Sequence, residues 1–143
     1  MISAKEAMRR LHEGNLRFVA EAPAADRLSS RARRREVIAA QEPFAIILGC
    51  SDSRVPAEIV FDQGLGDVFV VRAAGEVLDH SVVSSIEYAV EHLHAPLVVV
   101  MGHHACGAVR TAMTVAPESA GSEDLAYLVG AIRPAVASFG APA

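Results

Sequence analysis

The chain has 143 residues, with 17 acidic against 13 basic side chains and a net charge of −4. One domain of this size can bury roughly 68–70% of its unfolded surface, and 52% hydrophobic residues exclude a disordered chain. The acidic balance argues against a protein that neutralises phosphate backbones, so no nucleic-acid partner is expected; with aromatics at 5% and no Trp, the core must be built from Ala, Val, Leu and Ile.

Ser3 and Glu6 fit a capping box, in which each side chain satisfies a free amide at a helix start. A helix is predicted from there to about Val19, with Met8, Leu11 and Phe18 on its inner side. The Pro- and Ala-rich stretch 21–28 reads as a loop. Ser29 or Ser30 caps a second helix running to about Ala40. Five arginines fall in this region (Arg27, Arg31, Arg33, Arg34 and Arg35), and they read as a helix face with local ion pairs. Three short apolar runs follow: FAIILG at 44–49, VFVVR at 68–72 and LVVVMG at 97–102. They are rich in β-branched residues and do not alternate, the pattern of strands buried on both faces of a parallel sheet. A helix over 81–94 lies between the second and third, with Val82, Ile86, Ala89, Val90 and Leu93 on one side. Helices are also predicted over 106–115 and 122–138, and FGAPA at 139–143 reads as a loop or frayed end.

This order predicts an α/β fold, a central, mostly parallel sheet flanked by helices. One domain is expected over 1–143, with N-terminal helices in 1–40 and a sheet core carrying the site in 44–140. No apolar run approaches the ~20 residues of a membrane span, and the N-terminus has no apolar signal segment. A cytoplasmic protein without a membrane partner is therefore expected. In that compartment Cys50 and Cys106 read as ligands or catalytic groups rather than a disulfide.

The rare reactive residues sit just past two of the strands. GCSDSR at 49–54 follows the first, and GHHACG at 102–107 follows the third. Ligands of open α/β sheets bind at the carboxyl ends of strands, where the strand order reverses. If the second strand lies on the far side of the first, both segments face one crevice. Two thiolates, an imidazole and a carboxylate form a four-ligand set suited to Zn2+. Residues two apart in extended chain point the same way, so Cys50 and Asp52 can reach one ion. A turn can bring His103 and Cys106 to it. At a helix start Cys106 should have its pKa lowered. If Arg54 holds Asp52, water takes the fourth position, where zinc lowers its pKa to about 7, and Asp52 can orient the resulting hydroxide. On spacing alone the bland alternatives stand beside this reading. Each Cys can be a small buried hydrophobe, Asp52 and Arg54 an exposed ion pair, and His104 a rival of His103.

CSDSR followed at this distance by GHxxCG closely resembles the β-class carbonic anhydrases. FDQGLGD at 61–67, FVVR at 69–72, IEYAV at 86–90 and the early EGN at 13–15 with Arg17 and Phe18 also look like that family. The resemblance covers roughly residues 1–140. It implies zinc as the metal, with Cys50, His103 and Cys106 as permanent ligands. It implies that Asp52 either ligates the zinc or pairs with Arg54. Gln41 matches a glutamine that helps bind substrate or bicarbonate. Phe69 and Tyr88 match aromatics lining the pocket, in some members from the neighbouring subunit. The amide of Gly107 matches a donor near a bicarbonate oxygen. The implied reaction is the hydration of CO2 to bicarbonate and a proton, in a homodimer or homotetramer. The same zinc site acting on CS2 or COS, and a zinc-binding homologue without activity, are the alternatives.

There are departures. Family members continue past residue 143 with further helices and a last strand, so this chain is expected to lack those elements. Glu76 stands where the family often has Asn or another polar residue. His104 takes a position usually filled by a smaller side chain. One subgroup has a Trp-containing bicarbonate inhibitory site; this chain has no Trp, although Arg72 matches one member of that site.

Overall fold

The run AIILGC becomes strand β1 (Ala45–Cys50), buried along its whole length. In the computed structural model, which describes residues 2–24 and 30–139, β1 is the middle of a three-stranded parallel sheet. β2 (Val68–Ala73) lies on one side and β3 (Val98–Met101) on the other, in the order β2-β1-β3. Ala45 pairs with Val68 and Cys50 with Ala73; Ile46 pairs with Val98 and Gly49 with Met101. The carboxyl ends of β1 and β3 are therefore adjacent, as the spacing of reactive residues required.

One face of the sheet packs on helix α1 (Ala4–Val19). Ala45 and Ile47 of β1 meet Ala7 and Leu11 there, with Val70, Val99 and Met101 around them. Ser3 caps α1, its hydroxyl accepting from the Glu6 amide at 3.2 Å. The predicted inner face of α1 needs correcting. Its buried residues are Ala7, Leu11 and Gly14, whereas Met8 is 49% and Phe18 41% exposed. The helix lies too close to its neighbour for large side chains along this stripe. A Cβ added at Gly14 would stand 1.7 Å from the Phe61 carbonyl oxygen. Met8 is one position off the stripe. Phe18 continues it but overhangs a cavity of about 680 Å³, which Ile59, Leu65 and Val68 also line.

The neighbour at Gly14 is α3 (Ala57–Val60), a single turn after Pro56 with no apolar period long enough to reveal it. Asn15 donates to the Val60 carbonyl at 3.0 Å. Arg17 donates to Asp62, which is only 4% exposed and also accepts from the Ala24 amide. α1 is thus held by one apolar stripe and a polar clasp at its far end.

Helix α2 (Arg31–Glu36) is capped by Ser30 and stops near Val37, earlier than expected. Ser29 and Arg27 lie outside the described residues. Arg33 pairs locally with Glu36 at 3.5 Å, but its closer partners are distant in sequence, Asp67 at 2.7 Å and the Leu65 carbonyl at 2.8 Å. One arginine of the run thus ties α2 to the loop entering β2.

The other face of the sheet packs on α4 (His80–Glu91), through Ile46 and Phe69 against Ala89 and Ile86. Asp79 caps this helix, accepting from the Val82 amide at 2.8 Å. Val90 was expected inside but is 39% exposed. β3 also departs from the reading of strands buried on both faces. Val99 and Met101 point inward, while Val98 is 44% and Val100 66% exposed, because α4 packs over β2 and not over β3. Helices α5 (Gly107–Thr114) and α6 (Glu123–Val136) form a third apolar cluster through Ala112, Val129 and Ile132.

The close approach at Gly14 gives a paired prediction. Alanine favours a helix over glycine by about 1 kcal/mol. At Gly130, inside α6, an added Cβ meets nothing within 4 Å, so Gly130→Ala should stabilise by up to about 1 kcal/mol. Gly14→Ala should instead destabilise by about 2 kcal/mol, because overlap with backbone outweighs propensity. Urea unfolding of both variants measures the two signs.

Candidate metal centre

Cys50 is the last residue of β1, and the Cβ alternation of that strand turns it into the crevice beside β3. Its sulfur accepts from the Gly75 amide at 3.4 Å and lies 3.8 Å from the sulfur of Cys106. Both cysteines are buried and unbridged. His103 follows β3 by two residues. One ligand atom from each of Cys50, His103 and Cys106 lies within 4.8 Å of the others.

The imidazole is oriented by the backbone. Its Nδ1 lies 3.1 Å from the His104 carbonyl oxygen. A carbonyl can only accept, so Nδ1 carries the proton and Nε2 presents a lone pair. That Nε2 is buried without a hydrogen-bond partner. An unsatisfied buried nitrogen costs about 1–3 kcal/mol, and a cation between it and the two sulfurs removes the deficit. The donor set therefore fits a thiophilic divalent ion, zinc foremost. The rivalry of His103 and His104 is resolved by placement, since only the His103 ring joins the sulfurs.

The two thiols are driven apart in acidity. Burial pushes Cys50 up, but the amides of Gly75 and Asp52 and the side chains of His103 and Cys106 outweigh it, so its pKa falls below the ordinary thiol value. Burial also pushes Cys106 up; the Val109 and Ala108 amides at the start of α5 oppose this, but the neighbouring Cys50 adds to it. The expected lowering at Cys106 is thus overturned, because burial and a second sulfur exceed the helix-start effect. The Cys50 sulfur in turn holds the His103 pKa above its ordinary value.

Asp52 and Arg54 form a bidentate pair, with Nε to Oδ1 at 2.9 Å and Nη2 to Oδ2 at 2.7 Å. The Arg54 amide also donates to Oδ1 at 3.0 Å. These contacts hold the Asp52 carboxyl far below the usual carboxylate range. Its Oδ2 is 3.9 Å from His103 Nε2, beyond hydrogen bonding, so Asp52 is engaged by Arg54 and stands beside the Cys-His-Cys group. Arg54 also donates to the Ala105 carbonyl at 3.3 Å, tying the loop after β1 to the loop after β3.

Gly107 opens α5 directly after Cys106, with its amide at the helix start. The remaining expected residues lie elsewhere within this chain. Phe69 pairs in register with Ile46, four residues before Cys50, which is about 13 Å along a strand. Tyr88, on α4, approaches it with ring centroids 6.4 Å apart. Gln41 is exposed and precedes the amino end of β1.

Three contributors were not read from the sequence as parts of the site. Arg72, on β2, donates to the carbonyls of Cys50 at 2.8 Å and Asp52 at 2.6 Å. Its signal was a lone charge ending an apolar strand. The Gly75 amide and the Ala105 carbonyl act through the backbone, for which side-chain identity gives no signal.

Residues 45–142 match the family described as carbonic anhydrase. Carbonic anhydrase 2 of Mycobacterium tuberculosis is 56% identical over 107 residues, covering 75% of this chain and 51% of the relative. The carbonic anhydrase of Mycolicibacterium smegmatis is 52% identical over 112 residues, covering 78% and 54%. The Coccomyxa β-carbonic anhydrase, solved in complex with acetazolamide, superimposes with a TM-score of 0.70 at 30% identity, covering 90% of this chain and 57% of that one. The chain spans about half the length of the curated relatives it matches. The match over most of the chain, the shared fold and the Cys-His-Cys group agree, and the chain belongs to the β-class carbonic anhydrase family.

Proposed function

We propose that the protein catalyses the reversible hydration of carbon dioxide to bicarbonate and a proton, using one zinc ion held by Cys50, His103 and Cys106. The observation that carries this reading is the buried, unpartnered His103 Nε2 beside two sulfurs 3.8 Å apart, in a chain of this family. Three such donors leave one position of a tetrahedral ion open. Zinc there supplies a Lewis acid that makes water a nucleophile at neutral pH.

The chain's own residues do the rest. The His104 carbonyl fixes the ring of His103 in its ligating tautomer. Arg54 holds Asp52 beside the Cys-His-Cys group, which would leave the remaining position of a bound cation to water. Asp52 Oδ2 would be placed to accept a hydrogen bond from that water and orient it. Because Asp52 stays ionised far below neutrality, its choice between ion and Arg54 is a competition between two cations and not its own protonation. The Gly107 amide donates to a bicarbonate oxygen at the start of α5.

Phe69 sits about 13 Å along the strand from Cys50, Tyr88 packs beside it from α4, and Gln41 precedes the amino end of β1. In this reading they line that of a neighbouring subunit, which makes the protein a homodimer or homotetramer. A cytoplasmic location belongs to the same reading, since thiols stay reduced there; among the described residues no helix is long and apolar enough to cross a membrane.

Stopped-flow CO2 hydration on zinc-loaded protein tests the proposal. Activity should vanish on chelation, return with zinc, and fall more than ~100-fold in Cys50→Ser, beyond what second-shell changes cost. A soluble, zinc-replete protein without hydration overturns it. The Asp52 competition gives a separate expectation. Wild-type activity should rise with pH from mildly acidic to alkaline solution, because water on the cation would deprotonate near neutrality and the hydroxide would displace the Asp52 carboxylate. Asp52→Ala should keep this rise but move its acid side to lower pH, while lowering the alkaline plateau. An unchanged profile would show that Asp52 does not gate the site.

A further inference from the structure

Among the described residues, two buried side-chain polar atoms lack any hydrogen-bond partner. One is His103 Nε2, which the metal reading accounts for. The other is Oε1 of Glu76, which it does not. Glu76 is the position where this chain departs from the family's habit of Asn or another polar residue. We propose that Glu76 is a positioning residue of the metal centre, its carboxylate accepting a hydrogen bond from the water in the cation's fourth position. The inference rests on the zinc-site reading and adds to it a second carboxylate beside Asp52.

Three observations support it. The residue before Glu76 touches a ligand, since the Gly75 amide donates to Cys50 Sγ at 3.4 Å. The backbone is held in place: Gly75 has φ 62° and Glu76 has φ 53°. The left-handed region is costly for a residue with a Cβ and persists only where the surroundings enforce it. Here they do, because the space at Gly75 is closed by Ile132 Cδ1 and the Ala108 Cβ, 2.6 and 3.2 Å from where a Cβ would stand. Finally, both oxygens of Asp52 already accept from Arg54, whereas Glu76 Oε1 has no partner at all. A buried carboxylate oxygen without a donor is unfavourable. Water on a bound cation supplies the missing donor.

The two states of the protein should respond in opposite directions, which a purely structural role would not produce. Glu76→Gln keeps the size and backbone but removes the charge. Without metal, the variant should melt at the same temperature as wild type or higher, because an unpartnered charge has been removed. With metal, zinc affinity by chelator competition should fall about tenfold, the scale of a lost second-shell partner, and Glu76→Ala should fall at least as far. A crystal structure of the zinc-loaded protein should show one water bridging the ion and Glu76. Unchanged affinity in both variants, a Glu76 oxygen directly on the ion, or a carboxylate turned away from it each overturns the inference. No readout uses CO2 turnover. A zinc-binding protein that fails to hydrate CO2 therefore overturns the proposed function and leaves this inference standing, whereas a wild type that binds no zinc overturns both.

Discussion

The metal centre depends on β1 being the middle strand. A strand hydrogen-bonded on both edges and packed on both faces has little freedom to shift, since a slip of one residue would exchange its two faces. Ala45 and Ile47 are committed to α1, and Ile46 to α4. With that register fixed, the chain must leave the sheet after Cys50, and the thiol emerges where β3 ends beside it. The sheet order β2-β1-β3 then brings two loops together that are separated by some fifty residues of sequence.

The loops are secured by arginines acting on the backbone. Arg72 spans from β2 to the carbonyls of Cys50 and Asp52, and Arg54 spans from the first loop to the Ala105 carbonyl on the second. The cluster thus carries two guanidinium groups around two thiols and the Asp52 carboxyl. The guanidinium of Arg54 keeps that carboxyl ionised and engaged. In the proposed function the same side chain both supports the site and limits how many carboxylates a bound cation would meet.

Much of this was legible in the sequence, for different physical reasons. The strands were visible because apolar β-branched runs ended by Gly have few other uses, and the ligands because Cys and His are rare and fell at the strand ends. The caps at Ser3 and Ser30 were readable from local chemistry. What was not legible depends on tertiary approach. The inner face of α1 was misread because the position nearest its neighbour is Gly14, which carries no hydrophobic signal. The outward face of β3 could not be read from four consecutive apolar residues, since only the reach of α4 decides which are covered. The direction of the Cys106 pKa was misread because a second sulfur and burial act across the fold. Gly75 escaped notice as part of the site because it acts through its backbone amide.

The walls around Cys50, His103 and Cys106 are strand ends, a helix start and arginine ties to backbone carbonyls. Each donor is thus positioned by contacts of the polypeptide itself, unlike the donors of small zinc-stapled domains, in which metal capture and folding are one transition. Much of the conformational entropy of gathering the three groups is lost together with the register of β1, so a cation that entered would meet donors already brought together.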